Sequence, residues 1–227
     1  MARRKRQPEG GRSRRALVLG GAVGLGLVLV AVLVLVARIA QSPRRAPLLT
    51  TPFPQVTPVP NAVSLTVFFD FQCPYCGQFA RESEPKLRQE YIQRGLVNLR
   101  AVHFPILGNE SWLAAQATEC AREQGRFWEY YDALFHKQAG ENRGTYSPRN
   151  LKAWAREVGL DGAQFDACLD SGRTLSKVEQ DFQEGRRLGV NSTPTFIVDG
   201  QMIRGLMPWE RFRLVLDDAL RRRGLSP

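Results

Sequence analysis

The stretch FFDFQCPYCGQF, residues 68–79, carries two cysteines, Cys73 and Cys76, with Pro74 and Tyr75 between them. It overlaps SLTVFFDF (64–71), a β-branched and aromatic run that predicts a buried strand. From Pro74 to about Arg94 the pattern turns helical, with Phe79, Leu87 and Tyr91 apolar. Pro85 inside this stretch predicts a kink or a break. The cysteine pair therefore sits where a strand ends and a helix begins. There Cys73 meets the unpaired N–H groups and the positive end of the helix dipole. That placement lowers a thiol pKa and favours the reactive thiolate.

A metal, a structural staple or redox chemistry could each use such a pair. A zinc site of this kind wants four ligands, commonly two CxxC pairs or one pair with histidines. Here there is one CxxC; Cys120 and Cys168 are isolated, and His103 and His136 lie far apart in sequence. The reading is that no metal is bound. A CxxC staple closes a very small loop and constrains little of the unfolded chain. A structural disulfide gains nothing from the helix N-terminus, whereas a redox disulfide does, so redox chemistry is expected.

Further along, Val97–Phe104 alternates well enough for a second strand. Helices are expected at Trp112–Glu123, Arg126–Gln138, from the cap Ser147-Pro148 to about Val158, from the cap Asp161 to Leu169, and at 174–188. Thr195–Val198 returns to strand, Asp199-Gly200 turns a hairpin into Gln201–Arg204, and Pro208 opens a last helix, Trp209 to about Arg222. NSTPTFIVDG (191–200) puts Pro194 directly before a strand, where it removes a ladder donor. A cis Thr193–Pro194 bond would account for it. Trp112, Phe127, Trp128, Tyr131, Phe135 and Trp154 read as core, and His103 and His136 as surface or strand-end residues.

The chain has 227 residues and a formal net charge of +10. Residues 1–60 hold ten of the 32 basic residues and one of the 22 acidic ones. The remainder is almost neutral, so the electrostatic footprint of a nucleic-acid binder is missing. The basic tail (1–15) precedes ALVLGGAVGLGLVLVAVLVLVA (16–37), which has no charged or polar side chain. As a helix it would be roughly 33 Å long, enough to cross a bilayer. The basic flank predicts a cytoplasmic N-terminus and a domain outside. The run is longer than a signal-peptide core, and Arg38 stands where a cleavage site wants a small residue, so an uncleaved anchor is expected over a cleaved signal. Residues 41–60 contain six prolines and no glycine, which predicts a semi-rigid spacer. The expected organisation is tail 1–15, transmembrane helix 16–37, Pro-rich linker 38–60 and domain 61–227, with a helical insertion at about 109–188.

CPYC after a strand, TP before a hairpin strand, and the helical block between them resemble thioredoxin-fold disulfide oxidoreductases of the DsbA type. ATECAREQGRFWEYYDALF (117–135), FDACLDSG (165–172) and GVNSTPTFIVDG (189–200) look like the membrane-anchored bacterial members. The resemblance covers about residues 61–222. It implies an α/β thioredoxin-like fold with an inserted helical subdomain, preceded by one N-terminal transmembrane helix. It makes Cys73 the exposed nucleophile and Cys76 the buried resolving thiol. It sets Thr193-Pro194 against them as a substrate-binding loop, and leaves Pro74 and Tyr75 to tune the reduction potential. No cofactor is required. Four cysteines, with one pair at the site, leave Cys120 and Cys168, and similar proteins look to bridge this pair; two buried free thiols are the alternative. The family often has a buried acid six residues before the nucleophile; here that position is Val67. Asp70 lies on the opposite face of the strand and does not replace it, so proton handling through water or another group is expected.

The resulting expectation is a single-pass cell-membrane protein whose extracytoplasmic domain passes disulfides to reduced exported proteins. A quinone-linked DsbB- or VKOR-type membrane protein would reoxidise it. An isomerase or reductase using the same site, or a non-catalytic holdase, are the alternatives.

Overall fold

The computed structural model describes residues 58–226. The expected tail, the apolar span at 16–37 and the linker up to residue 57 lie outside the described residues. Among the described residues no helix is long and apolar enough to cross a membrane.

Four strands form one sheet in the order β2-β1-β3-β4. Strand β1 (Val63–Phe69) lies centrally, parallel to β2 (Val97–His103) and antiparallel to β3 (Thr195–Val198); β4 (Gln201–Arg204) closes one edge as the hairpin partner of β3. A strand flanked on both sides and covered on both faces must be apolar at almost every position. That is why β1 is buried at every residue except Ser64. Its side chains alternate between the two faces. Leu65, Val67 and Phe69 join the larger core, while Phe68 joins Val102, Phe104 and Val190 on the other face. Val59, at the end of the expected linker, is already held by the Asn98 side chain of β2, through bonds of 2.9 and 3.0 Å.

The helical stretch after the cysteines is α1 (Pro74–Gln78), a π-helical turn (Phe79–Ser83), α2 (Glu84–Leu87) and a second π-helical turn (Arg88–Ile92). Pro85, which has no N–H to donate, sits in the first turn of α2 directly after the first widened turn. The register change falls there, and the helix continues through it. The insertion consists of α3 (Asn109–Glu123), α4 (Phe127–His136), α5 (Pro148–Glu157), α6 (Gly162–Ser171) and α7 (Leu175–Arg187). Asp161 caps α6 by accepting from the Gln164 N–H, but Ser147 makes no side-chain cap to α5. Helix α7 lies so close to the smaller core that a Cβ on Gly185 would stand 2.6 Å from Phe104 Cδ2. Cys120 on α3 and Cys168 on α6 are joined by a disulfide, with Cα atoms 5.8 Å apart. Helix α8 (Trp209–Arg222) completes the domain.

The aromatic set divides. Phe127, Tyr131 and Phe135 are buried in the larger core, whereas Trp112, Trp128 and Trp154 are only half-buried. His103 is a correction: it ends β2 as expected but is 1% exposed. Its ring packs on Phe69 and Phe127, and Nε2 lies 2.9 Å from Glu119 Oε1. Glu119, Asp181 and His103 bring their polar atoms within 4.8 Å of one another. Each carboxylate already has a cation, Arg122 on Glu119 and Lys177 on Asp181. His136 is exposed at the end of α4.

Candidate active site

Cys73 is the residue capping α1, and Pro74 occupies the first helical turn, where its missing N–H costs nothing. Cys76 follows inside the helix. Both are unbridged thiols and both are buried, Cys73 at 4% and Cys76 at 1% exposure. The expected exposed nucleophile is thus corrected: the open face of the motif is Pro74 and Tyr75, the latter 60% exposed. Cys73 is covered because the loop before β3 reaches it. The Thr193–Pro194 peptide bond is cis, and the Thr193 carbonyl oxygen lies 3.2 Å from Cys73 Sγ.

The two thiols have opposite electrostatics. Cys73 is lowered to about 6, first by its hydrogen bond with Cys76. Burial works against this; the Thr193 side chain and the backbone N–H groups of Cys76 and Tyr75 reinforce it. Cys76 is pushed well above the usual range, first by burial and then by its neighbour Cys73. Near neutral pH the lowered sulfur favours the thiolate and the other stays a thiol that donates a hydrogen bond to it.

Val67 is 1% exposed and belongs to the same core as both cysteines, so it offers no titratable group there. Asp70 is buried and fully engaged. Its carboxylate accepts from Gln72 N (2.8 Å), Ser111 Oγ (2.6 Å), Ile106 N (2.8 Å) and Leu107 N (3.0 Å). Burial raises its pKa against those hydrogen bonds. It ties the cysteine loop to the loop leading into α3.

Several residues at the site escaped the sequence reading. Gln72, next to Cys73, donates to Leu107 O and Ser111 Oγ and accepts from Asn142 N. Gln138 donates to the carbonyls of Phe71 (2.7 Å) and Cys73 (2.9 Å), and Tyr146 Oη donates to Phe71 O at 2.9 Å. No local pattern marks the last two; the adjacency of Gln72 to the CxxC was the one available signal.

A thioredoxin-like sheet, a CxxC at a strand-to-helix junction and a cis-proline loop against it define a class of thiol-disulfide exchange proteins. The comparisons agree. Residues 60–218 match the family model described as Thioredoxin. The chain is 31% identical over 144 residues to the probable disulfide bond formation protein D of Bacillus anthracis, covering 62% of this chain and 66% of that one. It is 32% identical over 145 residues to the Na(+)/H(+) antiporter NhaA 3 of Salinispora tropica, but spans only 21% of that protein's length. The crystal structure of oxidised BdbD from Bacillus subtilis superposes with a TM-score of 0.66 at 25% identity, covering 70% of this chain and 88% of that one. The chain belongs to the thioredoxin family, among its DsbA-like thiol-disulfide oxidoreductases.

Proposed function

We propose that this protein is an extracytoplasmic, membrane-tethered oxidase that introduces disulfides into exported proteins through Cys73 and Cys76. The observation that carries this reading is the split between the two thiols, Cys73 lowered to about 6 and Cys76 pushed well above the usual range. A low-pKa thiol is a good leaving group, and its thiolate stabilises the reduced enzyme, so the disulfide is readily given away. The exchange starts from a Cys73–Cys76 disulfide. A substrate thiolate attacks Cys73 Sγ, the Cys73–Cys76 bond breaks, and Cys76 leaves with the electron pair and takes a proton. A second substrate thiolate attacks the substrate sulfur of the mixed disulfide and expels Cys73 as thiolate. Two electrons pass from the substrate to the enzyme, and the substrate gains one disulfide.

Thr193 and Pro194 form the surface on which the substrate chain lies, and Pro74 and Tyr75 set the potential from the open side of the motif. The apolar span 16–37 anchors the domain, the linker lifts it clear, and a quinone-linked DsbB- or VKOR-type membrane protein takes the electrons. The match to a disulfide bond formation protein D supports this direction.

The test is stoichiometric. The oxidised full-length protein is mixed with reduced, unfolded ribonuclease, and recovered nuclease activity is followed. Recovery that disappears in Cys73→Ser supports the reading. Recovery that persists in Cys73→Ser means that the oxidising equivalents do not come from this pair and overturns the reading, and no recovery with the parent protein sinks the oxidase.

A further inference from the structure

We propose that Gln138, two residues beyond α4, is a positioning residue for the Cys73 thiol. Its side-chain amide pins the carbonyls of Phe71 and Cys73, and so aims the backbone N–H groups of the first turn of α1 at Cys73 Sγ. The inference rests on the exchange chemistry proposed above for this site.

The geometry is specific. The residue before a helix uses its carbonyl to accept the first intrahelical bond, here from Gly77 N to Cys73 O at 3.0 Å. Gln138 Nε2 adds a second donor to that carbonyl at 2.9 Å and spends its other hydrogen on Phe71 O at 2.7 Å. The peptide planes that follow Phe71 and Cys73, on either side of the Gln72–Cys73 peptide, are thereby fixed from the helical subdomain. The amide also brings the positive end of its dipole to the N-terminus of α1. The Tyr75 and Cys76 N–H groups, which favour the Cys73 thiolate, depend on that turn holding its shape.

Gly77 bears out the coupling independently. It is buried, and a Cβ there would stand 2.1 Å from Gln138 Oε1 and 2.7 Å from Arg81 Nη1. Gly77 lies in the helix without a positive φ, so its backbone does not require glycine. Glycine in a helix interior is normally a disadvantage. Here it leaves room for the amide of Gln138.

The experiment uses the full-length reduced protein and the pH profile of iodoacetamide reaction at Cys73, read on the peptide that carries it. Gln138→Met keeps the length and donates nothing. Gln138→Glu keeps the shape and replaces the donors with acceptors. The expected result is a rise of roughly half to one unit in the Cys73 pKa for Met and a larger rise for Glu. Gly77→Ala, which leaves Gln138 in the chain but displaces its amide, should shift the pKa in the same direction. The Gly77→Ala/Gln138→Met double variant should shift no further than the larger single one. A merely structural role would lower the melting temperature and leave the profile in place. Parent-like profiles in Met and Glu, or additive shifts in the double variant, would overturn the proposal. If Gln138→Glu does not fold, the Met and Gly77→Ala arms decide. Ribonuclease oxidation by the parent protein is scored separately, so failure of the oxidase reading leaves a shifted profile still visible.

Discussion

The hydrogen bond between the two active-site thiols is the largest cause of the lowered Cys73 pKa, and it can be removed by one substitution. In Cys76→Ala the Cys73 thiolate keeps its backbone donors and the Thr193 side chain but loses the neighbouring thiol. A hydrogen bond to a charged group contributes about 1.5–3 kcal/mol. At 1.36 kcal/mol per unit, its loss should raise the Cys73 pKa by roughly one to two units, from about 6 to about 7–8. Cys76→Ser supplies the control, because a hydroxyl can still donate and should keep the value near the parent's. The assay is the pH dependence of thiolate ultraviolet absorbance in the reduced protein, checked against the rate of alkylation at Cys73. An alanine variant that still titrates at about 6, or serine and alanine variants that titrate together, would refute the assignment of Cys76 as the principal donor.

Three further outcomes concern the frame around the site. Asp70→Ala removes the acceptor of two buried donors, Gln72 N and Ser111 Oγ, and of the part-buried N–H groups of Ile106 and Leu107; at about 1–3 kcal/mol per buried donor, denaturant unfolding should show a loss of at least about 2 kcal/mol. A loss under about 1 kcal/mol would mean that water replaces the carboxylate. Gly185→Ala places a methyl 2.6 Å from the Phe104 ring; the overpacking cost of about 1–3 kcal/mol should exceed the helix-propensity gain of about 1 kcal/mol, so a more stable variant would contradict the packing described. Replacing Cys120 and Cys168 together by alanine opens a 48-residue closure and should lower stability by up to about 4 kcal/mol, read as a drop in unfolding midpoint with no change in the Cys73 alkylation profile.

What the sequence made legible follows the range of the interactions. The hairpin Thr195–Val198 and Gln201–Arg204 and the last helix from Trp209 came out at their expected positions, because turn and cap residues act over a few positions. Val67 shares the core of the cysteines as expected, while Asp70 stands just past the end of β1, its carboxylate turned to Ser111 and the loop before α3 and its carbonyl accepting from Cys73 N. The burial of Cys73 was missed even though the resemblance set Thr193-Pro194 against it, because nothing local shows how far that loop, 120 residues away, closes over the sulfur. The same holds for Gln138 and Tyr146, whose bonds to the cysteine loop span 65 to 75 residues. His103 read as a surface or strand-end residue since nothing in its neighbourhood reveals Glu119 or the aromatic cage. Ser147 had the right residue type for a cap, but the backbone there made no use of its hydroxyl.

The most direct test of the central claim is the reduction potential of the Cys73–Cys76 pair, measured in glutathione buffers as a function of pH. The thiolate exists only in the reduced form. A Cys73 pKa depressed from 9.0 to about 6 therefore stabilises that form fully above pH 9, and the stabilisation fades as pH falls through 6. At pH 7 it amounts to about 1.4 kcal/mol, or roughly 30 mV toward the oxidising side. The account predicts that the potential lies above thioredoxin's about −270 mV. It also predicts that the slope against pH halves, by about 30 mV per unit, on rising through pH 6. A potential near −270 mV whose slope does not change until about pH 9 would contradict it.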